Sequence, residues 1–337
     1  MKEQMSFCRL LISALLVAVP HAFATADAPP TAQLDHAIEY LERGGTEWIE
    51  QRDCVSCHQV PAMLWSLSVA EESGLELDTE SLRRWSQWST DPVHFVADAG
   101  PDFDPQKTMQ GNIDTMSALL LAIPREKDTD TESKDDQSGN RRTWRRKFTK
   151  ALIAEQRPDG SWNPCGQLPL QKRPKDETSR VTTLWVTLAL VRHQATDFDQ
   201  EAAMRFIDSG DPARSTEWYA ARLLLASQQQ SDKVTEYRRL LLDKQKPDGG
   251  WGWIVDQDSD ALATGLALYA LSVSHTESNE RVASAVDRGR EFLIRTQTQD
   301  GSWKVPGTKS ASAKRATETS NYWGTAWAII GLLSAQR

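Results

Sequence analysis

Apolar residues recur at helical spacing along most of the chain, in two alternating kinds of segment. The first kind is amphipathic: Phe148 to Gln156, Tyr237 to Gln245 and Phe292 to Gln297 carry an apolar stripe and leave one face for water. The second is apolar on most faces: Val181 to Val191, Ala261 to Val273 and Tyr322 to Leu333. A helix of that kind must be surrounded by protein. Between the two stands one phrase, written three times: Gln156-Arg-Pro-Asp159-Gly160-Ser161-Trp162, Gln245-Lys-Pro-Asp248-Gly249-Gly250-Trp251 and Gln297-Thr-Gln-Asp300-Gly301-Ser302-Trp303. Its Asp-Gly step supplies the positive-φ turn that stops the amphipathic helix. Each unit therefore predicts outer helix, turn, inner helix.

The same template predicts three further pairs in which the phrase has decayed but the periods survive. They are outer Leu34 to Glu50 with inner Pro61 to Glu72, outer Thr79 to Trp88 with inner Ile113 to Ile123, and outer Glu201 to Asp208 with inner Glu217 to Ser227. Six pairs can close into a ring whose inner helices line a cavity, which removes the exposed ends an open stack must cap. The expected class is all-α, an (α/α)6 toroid. Residues 125–142 are too polar to bury and read as an insertion without order of its own, and Asn163 to Ser179 as a second long loop.

The phrase, followed by an inner helix such as Ala263-Thr264-Gly265-Leu266-Ala267-Leu268-Tyr269-Ala270-Leu271, resembles the Gln-Trp repeats of squalene-hopene cyclases and the related toroid of protein prenyltransferases. The resemblance implies a terpenoid cyclase/protein prenyltransferase-like toroid. Such phrases tie helix ends together and say little about chemistry. Trp162, Trp251 and Trp303 are therefore expected in the core.

Length and charge narrow the picture. The 337 residues suit one domain of repeated units. With 39 basic against 47 acidic residues, interspersed to a net charge of −8, the chain offers no basic stripe for nucleic acid or an anionic membrane. Residues 1–24 have the basic start, apolar run and small-residue end (Ala22-Phe23-Ala24) of a secretory signal. The expected mature chain, 25–337, is periplasmic or secreted, with no later stretch that spans a membrane. Cys8 leaves with the signal, so Cys54, Cys57 and Cys165 remain.

Because every unit runs from outer to inner helix through the phrase, the connecting loops should gather at one end of the ring. Cys54-Val55-Ser56-Cys57-His58 lies in such a loop and has the spacing of a c-type haem attachment site, two thiols for the vinyl groups and a histidine for the iron. His94 and Met109, from the next loop, are the candidate sixth ligands. Two other readings of the cysteines are a Cys54 to Cys57 disulfide, or zinc held by Cys54, Cys57, Cys165 and one of His58 and His94.

Asp256-Gln257-Asp258-Ser259-Asp260-Ala261 opens the fifth inner helix. Triterpene cyclases carry a similar Asp-X-Asp-Asp-Thr-Ala segment and use a carboxylic acid kept protonated to activate an alkene. That resemblance makes Asp256, Asp258 and Asp260 candidate acids, although Ser259 stands where the third carboxylate would crowd its neighbour. The other reading is that Ser259 or Asp260 caps the helix. Prenyl transfer is disfavoured, since no cysteine follows Cys165, and the Cys-Gly-Glu-Gln spacing of complement-type thioesters is not met at Cys165. Trp65, Trp185, Trp218, Tyr219, Tyr269, Tyr322 and Trp327 are inner-helix aromatics that either line a cavity or pack.

The expected function is that of an exported toroid with covalent haem, binding a small apolar or isoprenoid-like ligand and acting in electron transfer or redox chemistry on it, with a redox partner protein as a further expected partner. The alternatives are a triterpene-cyclase-like isomerase with structural cysteines, and a binding toroid without turnover.

Overall fold

The computed structural model describes residues 31–55, 59–97, 100–124, 136–165, 171–274, 279–309 and 315–336, with 31–33 and 136–142 by backbone alone. Among these residues the chain is helical, with isolated bridges between loops and no strand. Six helix pairs follow in the expected order. The first is α1 (Thr31–Arg52) with α2 (Val60–Glu72). In the second, α3 (Thr79–Ser89) is separated from its inner helix by a 3₁₀ turn (Pro92–Phe95) and a short α4 (Pro105–Gln110), and the inner helix is α5 (Ile113–Ala122). The third and fourth are α6 (Asp136–Ala154) with α7 (Lys175–Arg192), and α8 (Gln200–Ile207) with α9 (Thr216–Gln228). The last two are α10 (Val234–Leu242) with α11 (Ala261–Val273), and α12 (Glu280–Thr296) with α13 (Glu318–Ser334).

The inner helices α2, α5, α7, α9, α11 and α13 each pack on the next, and α13 returns to α2. The fold is an (α/α)6 toroid. Burial explains the two helix types: Met63, Leu64, Leu67, Leu184, Leu225, Leu268 and Ile329 are all within the core, whereas the outer helices bury a single stripe.

The repeated phrase makes the same three links each time. The indole N–H of Trp162, Trp251 and Trp303 donates back to the outer helix, to the carbonyls of Leu152, Leu241 and Leu293 at 2.7, 3.0 and 2.8 Å. The same residue's amide donates forward to an inner-helix threonine, Thr183, Thr264 or Thr325, at 3.2, 3.0 and 3.2 Å. All three indoles are buried. The third link is the glycine, which adopts φ +85° at Gly160, +92° at Gly249 and +83° at Gly301 and lies against another unit's outer helix. At Gly301 a Cβ would sit 2.4 Å from the carbonyl carbon of His36 on α1, so this contact joins the last unit to the first.

Boundaries differ where polar turns hide them. α6 begins at Asp136, inside the segment expected as an insertion, while 125–135 lie outside the described residues. α7 begins at Lys175, inside the loop expected to run to Ser179, since its first turn, with Asp176 and Glu177, is polar and does not show in the apolar pattern. α12 extends back to Glu280, well before the expected Phe292. The expected signal at 1–24 lies outside the described residues, and none of the described helices is long and apolar enough to cross a membrane.

Candidate functional site

The inner helices start at one end of the ring, where the outer-to-inner loops meet and lace together. Ser215 bridges to Ile254 and Gln171 to Lys309, and Val55 donates to the His94 carbonyl at 2.7 Å. Below these loops is a cavity of about 80 Å³ walled by Trp65 of α2, Asp114 of α5, Trp185 of α7, Glu217 of α9, and Trp323 and Trp327 of α13. Helix N-termini carry partial positive charge, which favours carboxylates in first turns. Asp114 and Glu217 hold the same place, each the second residue of its helix.

The two carboxylates have different surroundings. Asp114 accepts from the Cys165 amide and the Thr182 hydroxyl, both at 2.8 Å. Burial pushes its carboxyl above the ordinary aspartate value, and the hydrogen bonds from Cys165 and Thr182 offset only part of that rise. Glu217 forms an ion pair with the buried Arg173 and accepts from the indole N–H of Trp185 at 2.8 Å. A third first-turn carboxylate, Glu177, is spent on structure: it accepts from the amides of Arg214 and Ser215 at 2.9 and 2.8 Å and pins the α8–α9 loop.

The aromatic wall is continuous. Trp65 packs edge-on to Trp185 and Tyr269 with centroids 6.0 and 5.8 Å apart, and lies 5.0 Å from Trp327. Of the seven inner-helix aromatics weighed from sequence, Trp65, Trp185 and Trp327 line the cavity and Tyr269 backs them. Tyr219 is instead tied to the Ala213 carbonyl at 2.9 Å, Tyr322 to the Leu41 carbonyl at 2.8 Å, and Trp218 packs on Tyr219 and Tyr237. Trp323, within the expected inner helix Tyr322 to Leu333 but not one of the seven, also lines the cavity.

The sequence-derived candidates fall elsewhere. Cys57 and His58 lie outside the described residues. Cys54 is half-buried, and its carbonyl accepts the Trp48 indole N–H at 2.7 Å. His94 stacks on Trp88 at 4.3 Å and pairs with Asp53 at 3.1 Å, while Met109 is buried in α4. Among the described residues no three His, Cys, Asp or Glu side chains gather as a metal site. The aspartate cluster splits. Asp256 is exposed and pairs with Arg214 at 3.1 Å, Asp258 is exposed, and Asp260 is the buried N-cap of α11, accepting from the amides of Ala263 and Trp253 at 2.9 and 2.7 Å. None of the three lines the cavity.

No family model matches the chain. Among solved structures, it is similar to "Glycosyl hydrolase family 88 from Bacteroides vulgatus", at 12% identity and TM-score 0.49, covering 89% of this chain and 98% of that one. It is also similar to "a possible member of GH105 family from Klebsiella pneumoniae subsp. pneumoniae MGH 78578", at 13% identity and TM-score 0.37, covering 92% of this chain and 82% of that one. The first of these neighbours is described as a glycosyl hydrolase and the second as a possible GH105 member, where the sequence led us to expect a haem redox protein, a cyclase-like isomerase or a binding toroid without turnover. Those functional expectations are corrected accordingly, and with them the cytochrome and isomerase assignments. The toroid itself stands.

Proposed function

We propose that the chain cleaves a glycosidic bond in the tryptophan-walled cavity, with Asp114 as general acid and Glu217 as general base. The observation that carries this reading is that the wall's two carboxylates sit in unlike environments. Glycoside hydrolysis needs one carboxyl that keeps its proton and one that does not. Burial favours the protonated form of Asp114, whereas Glu217 is ion-paired with the buried Arg173. Asp114 would protonate the departing glycosidic oxygen as its bond to the anomeric carbon breaks. Glu217 would take a proton from the water that attacks that carbon, and the leaving alcohol departs neutral.

The aromatic wall supports the same reading. Indole faces pack on the apolar C–H faces of a sugar ring while its hydroxyls reach the polar rim. A cavity of about 80 Å³ holds on the order of six waters, near what one pyranose ring displaces.

The experiment is incubation with a panel of disaccharides and 4-nitrophenyl glycosides, followed by release of reducing sugar or nitrophenol. We expect turnover of at least one glycoside, lost in Glu217→Gln and, for the disaccharides, in Asp114→Asn. Failure of the wild type on every glycoside, or full activity in both variants, contradicts the proposal.

A further inference from the structure

Among the described residues, one buried cation outside the cavity wall touches the site. Arg173 precedes α7 and has its guanidinium in the interior, the side chain only 1% exposed. One of its nitrogens, Nη1, meets Oε2 of Glu217, and Nε donates to the Thr178 hydroxyl at 3.3 Å. Its flat face covers the Trp253 ring, 5.3 Å from the centroid. Trp253 in turn packs against the cavity residue Trp323 at 5.6 Å. The arginine is thus held on two sides by the toroid and presents one nitrogen to Glu217.

The consequence passes to the cavity. With Oε2 fixed by Arg173, Oε1 is directed at the Trp185 indole N–H, 2.8 Å away. Trp185 then meets Trp65 and Trp327 at 6.0 and 6.2 Å. A carboxylate has two oxygens, and a planar guanidinium grips one of them in a defined direction, which an ammonium does not.

We infer that Arg173 is a positioning residue: it sets the orientation of the Glu217 carboxylate and, through that carboxylate, of the Trp185 ring. Its catalytic consequence rests on the glycosidase reading; its structural consequence does not. Arg173 touches no substrate. It acts through Glu217, and a small displacement of a reacting group is costly in rate.

The test combines kinetics with a signal that needs no substrate. In Arg173→Ala, kcat on the best 4-nitrophenyl glycoside should fall roughly a hundredfold with KM nearly unchanged, and added guanidinium ion should restore part of it. The Trp185 indole N–H resonance, identified by its loss in Trp185→Phe, should shift in Arg173→Ala and return toward its original position with guanidinium. If Arg173→Ala does not fold, Arg173→Lys carries both readouts: lower kcat and a shifted resonance in a folded protein. A resonance that stays in place, or a folded variant with wild-type kcat, overturns the inference. Should the wild type hydrolyse none of the glycosides, the hydrolase reading fails while the Trp185 resonance still decides the role of Arg173.

Discussion

The indole N–H of Trp185 donates to Oε1 of Glu217 at 2.8 Å, so one wall of the cavity and one of its carboxylates form a single hydrogen-bonded unit. Trp185 projects from α7 and Glu217 from the start of α9, adjacent members of the inner ring. In the proposed mechanism, sugar stacking and base placement are thereby coupled across a helix interface.

That coupling predicts the behaviour of Trp185→Phe, which keeps an aromatic face and removes the donor. A hydrogen bond to a charged group contributes about 1.5–3 kcal/mol, and its loss should lower kcat about tenfold or more while KM changes less. Steady-state kinetics on a hydrolysed glycoside checks this. A large rise in KM with kcat intact would mean that Trp185 serves binding alone.

Asp260 gives a stability prediction with a defined sign. Burial raises its carboxyl to about 6, against the pull of the Ala263 and Trp253 amides. The folded value lies above the unfolded one of about 3.9, so the folded chain holds the proton more tightly. This group's contribution is therefore full below about pH 4 and is lost as pH rises through about 6, an effect of up to about 3 kcal/mol. Asparagine keeps one acceptor but turns an NH₂ toward the Trp253 amide. Asp260→Asn should be less stable than wild type by about 1–3 kcal/mol at pH 4, with the gap narrowing by pH 7. Urea unfolding at both pH values measures it, and a gap that widens with pH would contradict the assignment.

Ring closure depends on Gly301. Its φ of +83° and the 2.4 Å approach of a built Cβ to His36 leave no room for a side chain. Gly301→Ala should cost about 3 kcal/mol or more from overpacking combined with an unfavourable backbone conformation. The matched control is Gly74→Ala, which has φ +83° but open space around it. The difference between the two in chemical denaturation isolates the closure contact; equal losses would show that backbone conformation alone matters.

The fold was readable because its information is periodic. Two helix types and one thrice-written phrase specify outer and inner layers, and the expected pairing agrees with the ring from α1 to α13. The site was harder to read, since its parts are single residues far apart in the chain. Asp114 and Glu217 look like ordinary first-turn carboxylates, as Glu177 does, and only tertiary placement separates an oxygen spent on a loop from one that faces a cavity. Arg173 lies in a loop with no pattern of its own. The local motifs drew the attention instead: the dense aspartate cluster resolves into one helix cap and two exposed side chains. What could have pointed inward was the conjunction of an acidic first turn with a tryptophan further along a neighbouring inner helix.

In the proposed mechanism Asp114 supplies the proton that releases the leaving group. A 4-nitrophenolate departs without that proton, whereas a sugar alcohol does not, so the comparison of the two in Asp114→Asn isolates the role. A general-acid Asp114 entails a loss of about 10²–10⁴-fold on a disaccharide that the wild type hydrolyses, and a much smaller loss on the 4-nitrophenyl glycoside of the same sugar. Equal losses on both, or no loss on the disaccharide, would contradict it.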